Sequence, residues 1–92
     1  MRTLGSLRTQ RVLTLRAVAE RAEVNPGLLS MIEHGQRQAP RHVAVALARE
    51  LGIELGEVFE LSLQAQAEHR RVIASQELTR VLVDQTTKEV SP

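Results

Sequence analysis

Apolar side chains recur along the first sixty residues at intervals of three and four, and most stretches of this pattern are closed by a residue type that ends helices. Leu4 and Leu7 mark a first helix over residues 3–11, with Thr3 as its N-cap and Arg11 or Val12 continuing the face. Leu15, Val18, Ala19 and Ala22 form a second stripe over residues 15–22. Val24 then plugs a short turn, Asn25 is placed to cap, and Pro26 has the φ of a first helical residue. A third helix is therefore predicted from Pro26 to His34, with Leu29 and Ile32 inward and Gly35 closing it in the left-handed conformation. Two helices joined by so short a turn must cross steeply, which leaves one face of the second projecting outward.

The loop GQRQAPRH follows, in which Pro40 pre-sets the start of a fourth helix over residues 41–51. Val43, Ala44, Leu47, Ala48 and Leu51 give that helix its inward face, and Gly52 ends it. A short fifth helix from Leu55 takes in Val58, Phe59 and Leu61, with Phe59, the only aromatic residue, as a core anchor. The expected class is all-α: a compact five-helix domain over residues 1–61 and a helical extension over residues 62–92.

In the extension, residues 62–84 read as a long helix that can break at Ala74–Ser75; the run TRVLV (79–83) competes as a strand, and QTTKEVSP is polar and frayed. Leu63, Ala67, Ala74, Leu78, Val81 and Leu82 make an apolar face interrupted by Arg70. A lone helix cannot bury such a face against itself, so a second copy or the domain body must cover it. On this reading a chain ending near Leu61 stays folded and becomes monomeric.

Composition narrows the chemistry. No cysteine is present, which removes disulfides and thiolate metal sites and points to a reducing cytoplasm. No stretch is apolar enough for a membrane span or a signal peptide. His34, His42 and His69 stand at no metal-ligand spacing and read as exposed or capping residues. With neither a phosphate loop nor a nucleophile elbow, no enzyme activity, cofactor or metal is expected. Net charge is only +1, but residues 1–49 carry eight Arg against three Glu, and residues 50–61 carry four Glu. That polarity would orient the molecule on a polyanion.

The stretch LTLRAVAERAEVNPGLLSMIEHGQRQAP resembles the helix-turn-helix of the phage-repressor family, the Cro/C1 or XRE type of regulator with a lambda-repressor-like fold. Ala19, Val24, Leu29, Ile32, Glu33 and Gly35 stand at the pattern's fixed places, and the resemblance runs from about residue 3 to 61. It implies double-stranded DNA as partner, with the third helix in the major groove and Asn25, Pro26, Gly27, Leu28, Ser30 and Met31 facing bases. It also implies phosphate contacts from Arg16, Gln36, Arg37, Gln38 and Arg41, and an interhelical ion pair between Arg8 and Glu33. The family often has Gly where Val12 stands and Gln where Leu15 stands, so the turn into the second helix and its phosphate clamp are expected to be built differently. Pro26, Gly27, Leu28 and Met31 offer no bidentate base reader, which leaves specificity to thymine methyls, groove shape and flanking arginines.

The expected function is a repressor bound as a homodimer to a palindromic operator. The competing reading is a protein-interaction module on the same fold, such as an antitoxin holding a toxin through that apolar face. With no ligand-binding domain after the fifth helix, no small-molecule ligand is expected.

Overall fold

The computed structural model describes the backbone of residues 2–90 and the side chains of residues 2–81. Five helices follow one another: α1 (Leu4–Gln10), α2 (Leu15–Arg21), α3 (Pro26–Glu33), α4 (Arg41–Leu51) and α5 (Leu55–Val90). No strand occurs among the described residues. Leu4, Leu7, Val18, Ala19, Leu29, Ile32, Val43, Ala44, Leu47, Leu51, Val58 and Leu61 form a single core, drawn from all five helices. This core is wholly aliphatic. Phe59 is only partly buried and packs on its margin beside Pro40, so it is not the central filler that its size suggests.

The first helix is capped as a box, Thr3 Oγ1 accepting from the Ser6 N–H and Ser6 Oγ from the Thr3 N–H. Its apolar face stops at Leu7; Arg11 is exposed and Val12 is 90% exposed. All four short helices end in one motif. The amides of Leu13, Val24, Gln36 and Ile53 donate back to the carbonyls of Arg8, Ala19, Met31 and Ala48, across a residue with positive φ. At Gly35 and Gly52 that residue is glycine; at Val12 and Glu23 it is not, with φ values of 57° and 56°.

α5 replaces two expected elements. The short fifth helix and the extension are one helix of 36 residues, without a boundary at Leu61, a break at Ala74–Ser75 or a strand at 79–83. Residues 85–90 of the polar tail continue it. At 1.5 Å per residue it is about 54 Å long, and it accounts for the 60 × 23 × 23 Å extents of the molecule. Its first three turns close the core through Val58, Leu61 and Ser62, and beyond residue 70 every described side chain is exposed. Ser62 is 1% exposed and Gly35 sits on the Ala65 backbone, so the domain body reaches past Leu61. A chain cut at Leu61 would lose part of that packing, contrary to the expectation that it stays intact.

Candidate nucleic-acid interface

α3 buries one face completely and presents the other. Leu29 and Ile32 have no exposed surface, whereas Asn25, Pro26, Gly27 and Met31 are exposed and Leu28 and Ser30 are half-buried. Leu28 packs against the core margin, so only its edge is available to a ligand. Asn25 caps the helix, its Oδ1 accepting the Gly27 N–H at 2.7 Å, which leaves its amide nitrogen as the free donor. The His34 ring donates from Nδ1 to the Ser30 carbonyl at 2.7 Å and so finishes the helix at its other end.

The orientation of this helix is held from beneath. Glu33, in its last turn, has a side chain only 7% exposed, and Arg8 grips it with two bonds: Nε to Oε2 at 2.8 Å and Nη2 to Oε1 at 3.2 Å. Arg8 Nη1 also donates to the Leu13 carbonyl at 2.8 Å, so one guanidinium ties α1, α3 and the entry to α2 together. Gly5 permits the approach, since a β-carbon there would lie 3.1 Å from Glu33 Oε1. At the exit of α3, a β-carbon on Gly35 would run into the Ala65 carbonyl, which fixes the following loop against α5.

The arginines divide into two sets. Arg21 pairs with Glu50 at 2.8 Å and Arg2 with Glu57 at 2.5 Å, so part of the charge asymmetry in the sequence is used in bridges between elements rather than as two opposed patches. Arg16, Arg37 and Arg41 are exposed and form no ion pair among the described residues. Arg16 lies in the first turn of α2, Arg41 opens α4, and Arg37 sits between exposed Gln36 and Gln38 in the intervening loop. Thr14 Oγ1 already takes the Ala17 N–H at 3.1 Å, which removes one amide from any anion at that turn. Gln36, Arg37 and Gln38 share a shallow pocket of about 200 Å³ with Gln66, His69 and Arg70 of α5. Those three were not legible as neighbours of the loop, because their position depends on α5 continuing beyond residue 61. His69, expected to be exposed or capping, is half-buried there.

The expected tail contacts fall on one side of α5. Leu63, Ala67, Ala74, Leu78 and Val81 are all exposed, on the face opposite Val58, Leu61, Ser62 and Ala65. The Leu82 side chain lies outside the described residues. Among the described residues there is no group of His and acidic side chains placed to hold a metal, and no helix is long and apolar enough to cross a membrane.

No curated protein matches the chain. Among solved structures, it is similar to the clp gene regulator ClgR from Corynebacterium glutamicum, with 30% sequence identity, a TM-score of 0.56, and coverage of 86% of this chain and 81% of the other. A family model described as a helix-turn-helix domain matches residues 2–62, the stretch that holds α1 to α4 and the turns of α5 that close the core. With α2 and α3 as the two helices flanking the turn at residues 22–25, the chain belongs to the helix-turn-helix domain family.

Proposed function

We propose that the chain is a DNA-binding transcriptional regulator that acts in the cytoplasm as a homodimeric repressor on a palindromic operator. The observation that carries the reading is the mounting of α3: one face fully buried, its last turn clamped by Arg8, and its other face open, while Arg16 on the helix before it and Arg37 and Arg41 on the segments after it are exposed without acid partners among the described residues. Such a helix can enter a major groove while the arginines meet phosphates on either side. The likeness to a clp gene regulator supports transcription as the process. Pro26, Gly27, Met31 and the edge of Leu28 would meet thymine methyls, and the Asn25 amide nitrogen and Ser30 hydroxyl would meet bases or phosphate.

Dimerisation is assigned to the outward stripe of α5, on which Leu63, Leu78 and Val81 are 58%, 62% and 51% exposed. Three large apolar side chains left in water on one helix face call for a partner. Selection of bound duplexes from a random pool tests the whole reading. The expected product is an inverted repeat with half-sites about one helical turn apart; recovery of no enriched duplex, at salt low enough for phosphate contacts, would remove it. The second reading, a protein-interaction module such as an antitoxin, draws on the 38% exposure of Met31 beside Pro26 and Gly27. It would gain if duplex binding were absent even at low salt.

A further inference from the structure

We infer that the fifth helix supplies part of the phosphate grip, through a seat that Gln66, His69 and Arg70 build with the loop after α3. The inference rests on the reading of the chain as a DNA-binding regulator and adds to it an element that the helix-turn-helix itself does not contain. Seven residues line the seat: Gly35, Gln36, Arg37, Gln38, Gln66, His69 and Arg70. Every side chain among them offers an N–H donor, apart from that of glycine, and none is a carboxylate. The neighbouring groove across α5 differs, since Glu33 and Glu68 both line it. Arg71 is engaged with Glu68 at 3.1 Å, whereas Arg70 and Arg37 form no ion pair among the described residues.

Two unpaired guanidinium groups on separate elements repel each other, and a shared anion between them reverses that cost. The space, about 200 Å³, equals several water molecules at ~30 Å³ each, enough for a phosphodiester group with part of its hydration. Gly35 holds the arrangement together: its contact with the Ala65 backbone fixes the loop to the turn of α5 that precedes His69. A phosphate of the bound duplex seated there would lie at the carboxy-terminal end of α3, where the chain leaves the groove.

The test is duplex binding by the full chain over a salt series, comparing Arg70→Gln with Arg80→Gln. Arg80 is exposed on the same helix but outside the seat, and its loss changes net charge equally. Arg70→Gln should weaken binding about fivefold per protomer, about 25-fold for a dimer on its operator, and flatten the slope of log affinity against log salt by about 0.9 per protomer, about 1.8 for the dimer, the signature of one lost phosphate contact from each copy. Arg80→Gln should leave both values near wild type. Because Arg70 interrupts the outward stripe of α5, light scattering should find Arg70→Gln as dimeric as the wild type. Equal binding effects from the two variants, none from Arg70→Gln, or a loss of dimer that accounts for the weaker binding, would overturn the seat while leaving the regulator reading intact. A wild-type chain that binds no duplex would overturn both. Titration with inorganic phosphate adds the remaining arm: an Arg70-dependent response to free phosphate, without an Arg70 effect on duplex binding, would make this a site for a soluble anion and defeat the proposal.

Discussion

Val12 has the backbone of a glycine and the side chain least suited to it. Its φ of 57° ends α1, its side chain is 90% exposed, and no packing offsets the strain. The left-handed conformation costs an ordinary residue about 1–2 kcal/mol, with β-branching at the unfavourable end. Val12→Asn should therefore stabilise the fold by about 1 kcal/mol, a rise of about 4–8 °C in Tm. Val12→Gly should gain about half as much, because glycine also frees the unfolded chain. Thermal melts of the two variants check the order; a fall in Tm for both would mean that Val12 makes contacts it lacks in this structure. Gly35→Ala should do the reverse and cost roughly 3 kcal/mol, since it combines a positive φ with a collision against Ala65. The contrast explains what could be read at this scale. Gly35 and Gly52 announce two of the four helix ends, and Asn25 with Pro26 announces a start. Val12 and Glu23 perform the same termination without the residue type that signals it, so the end of α1 could be expected to differ from its relatives but not drawn.

Between elements, the pair of Arg8 and Glu33 decides how α3 is aimed. Glu33 is nearly enclosed and Arg8 retains a 20% exposed side chain, so removing one partner leaves a charge that water only partly recovers. Glu33→Ala should cost about 2 kcal/mol, below the range for a fully buried pair. The double variant with Arg8→Ala should cost less than the two single losses added, because each single change strands the other group. Denaturant midpoints of the four proteins measure that coupling, and strict additivity would show that the pair does not act as a unit. The resemblance of the sequence to a known pattern indicated this pair, yet the third bond, from Arg8 to the Leu13 carbonyl, belongs to a turn that periodicity cannot describe. α5 departs from the expectation for a different reason. Val58, Leu61 and Ala65 face the core, whereas Ala67, Ala74, Leu78 and Val81 face the opposite way. One helix that carries apolar residues on both sides, with Val72 and Ile73 extending the inner side past the body while Leu63, Leu78 and Val81 line the outer, looks, position by position, like two helices or a helix and a strand.

For the whole molecule, α5 serves two ends: it completes a globular core with one face and carries an uncovered stripe on the other. The two tasks overlap along the helix, since Leu63 and Ala67 stand on the outward face at the level where Ser62 and Ala65 support the body. Truncation at Leu61 would consequently confuse loss of fold with loss of partner. Charged substitutions at Leu78 and Val81 separate them, because both positions lie beyond the body and are more than half exposed. Leu78→Glu with Val81→Glu should leave the helical domain folded, since it removes no core contact. The same change places two carboxylates on the proposed two-fold surface, where each would face its own copy. Light scattering should then report a monomer, and the thermal midpoint, which dimerisation should make concentration-dependent in the wild type, should become independent of protein concentration. Binding to an inverted repeat should fall toward that of a single half-site, while binding to the isolated half-site stays unchanged. A double variant that remains dimeric would place the contact elsewhere, in the groove that α5 forms with the end of α3, and the outward stripe would then have to serve a different partner.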